Sequence, residues 1–231
     1  MIEIILNTEF THKHPMPICL DLINSFYTNI DDMIDIDTLL VWGAAYKKLG
    51  AEEIIFNEGT QANFYYQLVS GRVRWVNIND EGREFLQVVI EPGECFGEMP
   101  LFDDELYAAS AIADSDSVII RLHRLSFAEL IKENPEIHFS FSRLLAQRVR
   151  FKFLLLKEFA NHDPEHSISA LFNHFKQTRK NICPQCSKIK LTRQQIADMT
   201  GLRVETVIRT IRNLHHKGQL HIEKGKVYCS V

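Results

Sequence analysis

Short apolar segments separated by turn-forming residues occupy much of the first half of the chain. Between residues 51 and 122 the predicted strands are 54–56, 65–69, 72–78, 85–90 and 117–122. Most of them stop at Gly, Pro, Asn, Asp or Glu, and the third alternates between apolar and polar positions. Short, regularly spaced strands of this kind are typical of antiparallel sandwiches and barrels. The pattern therefore predicts an antiparallel β-roll or jelly roll, because no helical stretch here is long enough to connect parallel strands.

A long uninterrupted helical pattern follows the strands. After Asn134-Pro135 no Gly or Pro occurs until Pro164, which predicts a helix of roughly 25 residues. Its apolar positions include Ile137, Phe141, Leu144, Leu145, Val149, Phe151, Leu155 and Phe159. These positions occupy more than one face, as in a helix that packs on its own domain and also on a second partner. A homodimer seam is the simplest interpretation, and a helix buried between two domains of one chain is the alternative.

The last third of the chain predicts a winged helix-turn-helix. After a helix over 164–180, the residues Thr192-Arg193-Gln194-Gln195 have the spacing of a capping box. The short helix that begins there ends at Gly201, where glycine permits a left-handed turn. A second helix is predicted over 204–217, and a small hairpin over 220–229. Two short helices joined by a Gly turn and followed by a hairpin are the elements of a winged helix.

The formal net charge of −4 conceals a division within the chain. Residues 1–160 carry 14 basic and 25 acidic side chains, whereas residues 161–231 carry 12 basic and 5 acidic ones. An acidic first part joined to a basic last part is expected when only one domain binds a polyanion. The charge pattern therefore favours DNA as a partner of the C-terminal part.

Several other classes of protein are excluded by the composition. The chain begins Met1-Ile2-Glu3-Ile4 and lacks the basic segment of a secretory signal. No uncharged apolar run approaches the ~20 residues that span a bilayer. Five scattered cysteines do not form a disulfide framework, so we expect a cytoplasmic protein without a membrane partner. No nucleophile–base pair, phosphate-binding loop or carboxylate pair indicates an enzyme.

The second helix of the predicted helix-turn-helix has a core face and an outer face. Val207, Ile211 and Leu214 fall at i, i+4 and i+7, so they should face the core. The outer face is left with Val204, Glu205, Ile208, Arg209 and Arg212.

Glu205 and Arg209 are the expected base-reading residues, supported by Val204 and Ile208. They lie one turn apart near the helix N-terminus, the end of a recognition helix that contacts base edges. Arginine can bridge O6 and N7 of guanine, and glutamate can accept from N4 of cytosine. An exposed i,i+4 salt bridge is the alternative interpretation of this pair. The candidate phosphate contacts are Thr192, Arg193, Arg203, Arg212, Lys224 and Lys226.

Four segments resemble the Crp–Fnr superfamily of bacterial transcription regulators. They are Val-Ser-Gly-Arg-Val at 69–73, Glu-Pro-Gly-Glu-Cys-Phe-Gly-Glu at 91–98, Leu-Thr-Arg-Gln-Gln-Ile-Ala at 191–197 and Val-Glu-Thr-Val-Ile-Arg at 204–209. The resemblance covers nearly all of the chain from about Leu39. It implies a cyclic-nucleotide-binding-like β-roll, a long dimerisation helix and a C-terminal winged helix. It also implies a homodimer on a two-fold symmetric operator, with Glu205 and Arg209 as base readers and a TTGA-type half-site, as in the Fnr branch.

The resemblance also implies an effector pocket, and this chain departs from its pattern. Members that bind cyclic AMP supply an Arg-Ser pair to the cyclic phosphate, whereas the aligned pair here is Tyr107-Ala108. Lys152 and Phe153 stand at the long-helix positions that would meet the adenine. Burying a phosphate without that arginine would be costly, so we expect that cyclic AMP does not bind. The degenerate pocket comprises Gly97, Glu98, Tyr107, Ala108, Lys152 and Phe153, and Glu98 could simply bond amides of its own loop.

A second departure concerns the start of the recognition helix. The family usually has Thr or Ser there as the N-cap, and this chain has Arg203. The change forgoes a cap worth ~1 kcal/mol and places a cation near the expected DNA backbone.

Cysteines provide the remaining candidate chemistry. Iron–sulfur members of the family use several N-terminal cysteines plus one in the β-roll, and here only Cys19 and Cys95 are available, so we expect no cluster. The Cys183-x-x-Cys186 spacing permits a zinc knuckle, which His174 or a tail histidine could complete, or a reversible disulfide. An incidental loop pair is the alternative.

Together these patterns predict an α+β protein that acts as a homodimeric transcription regulator. The expected parts are an N-terminal extension (1–38), a sensor (39–133), a dimerisation helix (134–161) and a winged-helix DNA-binding domain (162–231). Double-stranded DNA and a second copy of the chain are the expected partners, with RNA polymerase and an unidentified small-molecule effector as further ones. A ligand-, thiol- or metal-responsive regulatory protein that acts through protein contacts instead of DNA is the alternative.

Overall fold

The computed structural model describes residues 33–161 and 163–229. The N-terminal extension up to residue 32, with Cys19, lies outside the described residues. In chain order the elements are α1 (Ile36–Val41), β1 (Ala45–Leu49), β2 (Ile54–Phe56), β3 (Phe64–Ser70), β4 (Val73–Ile78), β5 (Glu84–Ile90), β6 (Cys95–Phe96), α2 (Pro100–Asp103), β7 (Ser110–Ala113) and β8 (Ser117–His123). They continue with α3 (Arg124–Glu133), α4 (Pro135–Asn161), α5 (Pro164–Thr178), α6 (Arg193–Thr200), α7 (Val204–His216), β9 (Leu220–Glu223) and β10 (Lys226–Cys229).

The sensor is built from two antiparallel four-stranded sheets. One has the strand order β1-β8-β3-β6 and the other β2-β7-β4-β5. An apolar cluster between them takes residues from both sheets, including Phe56, Leu68, Trp75, Phe96 and Ile119. The fold class predicted from the alternation of apolar segments is therefore confirmed.

Within the described residues, three strands (β1, β6 and β7) and three short helices (α1, α2 and α3) of the sensor part are absent from the sequence-based prediction. The strand β7 is Ser-Ala-Ile-Ala, whose small residues have little β-propensity, yet all four are buried. The strand β1 carries two lysines, and β6 has only two residues. The helix α3 is short and only weakly amphipathic in sequence. Tertiary packing, more than local propensity, therefore determines these elements.

Helices cover the outer face of the β1-β8-β3-β6 sheet. Tyr65 of β3 stacks on Phe127 of α3 with ring centroids 4.9 Å apart, and Phe141 of α4 meets Phe127 edge-on at 5.4 Å. Ile34 and Leu39 complete the same cluster and are almost fully buried. The N-terminal part of α4 is therefore anchored on the sensor by aromatic packing.

The C-terminal part has the predicted helix-turn-helix and wing. Thr192 caps α6, and the capping box is present: the amide of Gln195 donates to Thr192 Oγ1 and the amide of Thr192 to Gln195 Oε1, both at 3.1 Å. Gly201 ends α6 in the left-handed region at φ +68°. The strands β9 and β10 pair as an antiparallel hairpin.

The winged helix packs directly on the sensor. Val76, Leu86, Val89 and Ile112 of the β2-β7-β4-β5 sheet belong to the same apolar cluster as the core of the winged helix. This cluster also contains Leu155 of α4. Burial of apolar surface between the two parts stabilises one relative arrangement of them.

Polar contacts border this apolar junction. Gln195 Nε2 donates to both carboxylate oxygens of Asp114 at 3.1 Å. Arg83 Nη2, at the turn between β4 and β5, donates to the carbonyl oxygens of Gly201 and Leu202 at 3.5 and 3.4 Å. The sensor therefore contacts the helix-turn-helix at the start of α6 and at its Gly turn.

The turn between β3 and β4 packs closely against the start of β8, and a substitution can test this contact. Gly71 has φ +92°, and a Cβ there would lie 2.2 Å from Ser117 Oγ and 2.5 Å from the carbonyl oxygen of Asp116. We predict that Gly71→Ala lowers the free energy of unfolding by about 3 kcal/mol, measured by urea denaturation.

Gly82→Ala is the matched control, because Gly82 has φ +75° but nothing within 4 Å of a Cβ. We expect Gly82→Ala to lower the free energy of unfolding by only about 1 kcal/mol, which is the cost of a left-handed backbone conformation alone. Equal losses in the two variants would show that the close approach at Gly71 has no energetic effect.

Candidate nucleic-acid interface and effector pocket

The helix α7 presents one face to the core and the other to solvent. Val207, Thr210, Ile211 and Leu214 are buried, so the apolar spacing seen in the sequence corresponds to the core face. Arg203 is the N-cap residue and makes no side-chain cap hydrogen bond. The sequence predicts that α7 has no side-chain N-cap, and the structure contains none at Arg203. Arg203 is instead exposed at the N-terminal end of the helix.

The outer face of α7 carries a shallow open groove that is lined by residues of this helix alone. Its lining includes Glu205, Ile208, Arg209, Arg212, Asn213 and His216. Glu205 and Arg209 are exposed, and among the described residues no ion pair joins them. The alternative interpretation of this pair as a surface salt bridge is therefore not what the structure contains. Their hydrogen-bonding groups face solvent.

The two apolar residues expected beside the base readers differ in their placement. Ile208 is half-buried and lines the groove. Val204 packs against the core cluster of the winged helix. Val204 therefore has a packing contact in addition to any contact with DNA.

The candidate phosphate contacts fall into two groups. Arg193 Nη2 donates to the carbonyl oxygen of Gly225 in the wing at 3.3 Å, and burial lowers the pKa of its guanidinium. Thr192 is occupied as the cap of α6. Both residues therefore have structural contacts; the sequence reveals the cap of Thr192 but not the contact of Arg193 with the wing. The remaining candidate phosphate contacts are exposed: Arg203, Arg212, Lys224 and Lys226.

The C-terminal end of α7 is attached to α5. Lys217 forms an ion pair with Glu165, and Asn213 Nδ2 donates to the same carboxylate at 3.5 Å. With its apolar face buried and this end anchored, α7 is a rigid support for the side chains in the groove.

In the pocket suggested by the resemblance, Glu98 has a partner that sequence reasoning missed. Its side chain is fully buried, and its carboxylate pairs with Arg148 of α4. The hypothesis that Glu98 bonds amides of its own loop was wrong, because the guanidinium takes that place. Arg148 Nη2 also donates to the carbonyl oxygen of Cys95 at 2.7 Å, and the guanidinium lies 5.1 Å from the ring centroid of Trp75.

Charge and burial act in opposite directions on the pKa of Arg148. Burial by itself lowers the pKa of Arg148, but the adjacent Glu98 carboxylate outweighs it and the pKa is raised. A buried ion pair of this type is strongly destabilised when one partner is removed.

Lys152 lies one turn further along α4. Its ammonium group donates to the carbonyl and side-chain oxygens of Gln87 in β5. Burial, and then the nearby charge of Arg148, lower the pKa of Lys152 to about 8. Arg148 is i−4 from Lys152, and this spacing is the feature of the sequence that could have identified it.

The remaining pocket residues are only partly brought together. Gly97 has φ +69°, and a Cβ there would lie 2.8 Å from the ring of Phe56. Tyr107 is buried, with its ring stacked on Phe56 at 3.7 Å. Ala108 is exposed, and Phe153 is 66% exposed on the outer side of α4. The structure therefore does not bury Ala108 or Phe153 beside Glu98.

Two other features of the chain bear on function. Within the described residues no group of three or more His, Cys, Asp or Glu side chains is placed to hold a metal ion, so His174 does not complete a site with Cys183 and Cys186. The ring of His174 stacks instead on Phe151 at 4.6 Å. None of the described helices has the length and apolar content to cross a bilayer.

Comparison with known proteins identifies both parts of the chain. Residues 46–134 match the cyclic nucleotide-binding domain family, and residues 167–229 match the Crp-like helix-turn-helix domain family. The chain is 28% identical to the cyclic AMP receptor protein of Thermus thermophilus, over 75% of this chain and 78% of that protein. It is also 28% identical to the cAMP-activated global transcriptional regulator CRP of Haemophilus influenzae, over 80% and 85% of the two chains.

Solved structures show the same fold. FixK2 from Bradyrhizobium japonicum superposes with a TM-score of 0.68 at 20% identity, over 81% of this chain and 93% of that chain. The C-terminal family is a helix-turn-helix domain family, and the relatives are transcription regulators and not enzymes. The chain therefore belongs to the Crp–Fnr superfamily of transcription regulators.

Proposed function

We propose that the protein is a homodimer that binds a two-fold symmetric operator and reads its bases with Glu205 and Arg209. The observation that carries this proposal is the outer face of α7, where both side chains are exposed beside an open groove and are not paired with each other. A rigid helix with free hydrogen-bonding groups near its N-terminus is the usual arrangement for reading the major groove. Such a protein would act on chromosomal DNA in the cytoplasm.

Each side chain has a defined task in this proposal. Arg209 donates two hydrogen bonds to O6 and N7 of a guanine, and Glu205 accepts from N4 of a cytosine. Arg203, Arg212 and the wing lysines contribute contacts to phosphates, which set affinity and register but carry no sequence information. Ile208 lies beside the base readers and is suited to a thymine methyl group.

The exposed side of α4 supports the dimer. Seven residues of this helix, spaced alternately three and four positions apart along the chain, are all exposed in the protomer. This outer seam comprises Phe139, Ser142, Ala146, Val149, Phe153, Leu156 and Ala160. A heptad spacing with apolar residues is the pattern by which two helices pair as a coiled coil. We infer that the seam pairs with the same seam of a second copy, which places Phe153 in the interface.

The residues of the pocket favour an effector other than cyclic AMP. The relatives compared above carry cyclic AMP in their names, whereas this chain has Tyr107-Ala108 where the resemblance expects Arg-Ser. The carboxylate of Glu98 is already paired with Arg148, and Lys152 extends to Gln87. A cyclic nucleotide would have to displace a buried ion pair without gaining the usual cation for its phosphate.

Base reading can be tested by selecting bound sequences from a random duplex library. The wild-type protein should enrich a symmetric motif, and Arg209→Ala should lose preference at one base pair in each half-site. On the selected operator this variant should cost about 1–3 kcal/mol, measured by fluorescence anisotropy.

Lys226→Ala is the matched control, because Lys226 is exposed on the wing. It should weaken all sequences alike and make the salt dependence less steep. Enrichment of an unchanged motif by Arg209→Ala would contradict the assignment of Arg209 as a base reader.

The dimer can be tested on the outer seam. Phe153→Asp places a charge in the proposed interface and should convert the protein to a monomer in sedimentation velocity, because an unpaired buried charge is strongly unfavourable. Arg150→Asp, an exposed position on the same helix outside the seam, should remain dimeric. A wild-type monomer, or a dimer that tolerates Phe153→Asp, would exclude this interface.

Lys152 makes the free energy of unfolding depend on pH. Its pKa is about 8 in the folded protein, below the ordinary 10.5 of lysine. Between these values the unfolded state binds more protons than the folded state, so stability rises with pH. The free energy of unfolding of the wild type should therefore increase relative to Lys152→Met from pH 8 to pH 10.

Lys157→Met, which alters an exposed lysine of the same helix, serves as the control and should follow the wild type over this range. Parallel curves for the wild type and Lys152→Met would show that Lys152 is not desolvated by the pocket.

A further inference from the structure

The described cysteines occupy two different environments. Cys95 and Cys229 are buried, and burial raises the pKa of both thiols. Cys186 is exposed and Cys183 is partly exposed. Of these four thiols, only the Cys183–Cys186 pair is therefore accessible to a reagent in solution.

The pair lies on a tight turn that brings its sulfur atoms together. The turn is closed by two hydrogen bonds: the amide of Cys183 donates to the carbonyl oxygen of Lys188 at 2.8 Å, and the amide of Ser187 to that of Cys183 at 2.9 Å. Within the turn, the thiol of Cys183 donates to Oε1 of Gln185 at 3.1 Å. Only two residues separate the cysteines, a spacing that permits a disulfide within the turn.

The surroundings of Cys183 favour its thiolate. The amides of Cys186 and Gln185 point at its sulfur, and together with the Cys186 thiol they lower the pKa of Cys183. Lys190 adds a weaker effect of the same sign. A sulfur atom that is both partly exposed and stabilised as a thiolate is the reactive form in thiol–disulfide exchange.

We propose that Cys183 and Cys186 are a reversible disulfide site that reacts with small-molecule disulfides of the glutathione type. Cys183 is the attacking thiol and Cys186 the resolving thiol. This proposal selects one of the alternatives left open by the sequence and concerns chemistry that the proposed DNA binding does not require.

The reaction is balanced by the small disulfide, which is the oxidant. The Cys183 thiolate attacks one of its sulfur atoms, forms a mixed disulfide and releases one thiol. Cys186 then loses its proton and attacks the Cys183 sulfur, which breaks the mixed disulfide and releases the second thiol. One intramolecular disulfide forms, and the small disulfide is reduced to two thiols.

A closed zinc site is less well supported at this turn. Structural zinc requires four ligands, and within the described residues no third His, Cys, Asp or Glu joins the pair. Two adjacent thiols without further ligands are sufficient for a disulfide.

The turn lies where formation of the disulfide can affect the wing. Lys180 and Lys190, on either side of it, form ion pairs with Glu94 and Glu91 of the sensor. Beyond it, the amide of Ile189 donates to the carbonyl oxygen of Val227 at 2.9 Å.

The wing is joined to the turn by a second bond as well. The amide of Cys229 donates to the carbonyl oxygen of Ser187 at 3.0 Å. Closure of the disulfide removes the hydrogen bond that the Cys183 thiol donates to Gln185 within this turn, and we infer that it shifts the wing strand β10 and weakens operator binding. This second part rests on the proposed function.

Intact mass spectrometry of the full chain tests the site itself. With Cys19→Ser as background, treatment with oxidised glutathione should remove two hydrogens, and peptide mapping should place the disulfide at 183–186. Cys186→Ser should instead retain glutathione on Cys183, because the resolving thiol is gone. Cys95 and Cys229 serve as internal controls and should stay unmodified. Absence of the disulfide, equal modification of Cys229, or tightly retained zinc that blocks oxidation would overturn the proposal.

Anisotropy on the selected operator tests the consequence. The oxidised protein should bind about fivefold or more weakly than the reduced protein, a modest allosteric coupling, and Cys183→Ser should bind equally under both conditions. Unchanged affinity of fully oxidised protein would overturn the effect on the wing. If the reduced protein did not bind any DNA, the proposed function would fail while the mass-spectrometric result on the site would stand.

Discussion

The helix α4 is the constraint on which the other features depend, because one rigid element contributes to every part of the molecule. Its first half buries Phe141 in the outer sensor cluster, its middle places Arg148 against Glu98, and Leu155 joins the core of the winged helix. The outer seam occupies the remaining side. A helix with these attachments cannot shift in the sensor without moving the winged helix, and in the proposed dimer it would also move the partner.

The junction between sensor and winged helix adds a second connection. Apolar residues of the β2-β7-β4-β5 sheet share a cluster with the winged helix, and Gln195 joins the cap of α6 to Asp114. The same glutamine side chain therefore takes part in helix capping and in contact with the sensor. Because Arg148 and Glu98 form a buried ion pair, a ligand that separated them would have to compensate both charges. Separation of this pair would give the pocket a second state, and a switch between two DNA-binding geometries requires two such states.

Local chemistry was predictable from the sequence, and long-range packing was not. The capping box at Thr192, the turn at Gly201 and the two faces of α7 follow from short-range spacing, and the structure contains them. The strand β7 was missed because its small residues are held by neighbouring strands. Arg148 was missed because its role depends on a partner 50 positions away in the chain. Alignment placed Phe153 in the pocket, but the direction of a helical side chain depends on packing, and it lies on the outer seam.

In the proposed assembly, two copies of the chain present α7 to two half-sites at a distance set by paired α4 helices. Hydroxyl-radical footprinting of the full chain on its selected operator tests it directly. We expect two protected patches related by two-fold symmetry, with centres about one helical turn of DNA apart. A single patch without symmetry, or two patches at a variable spacing, would contradict it.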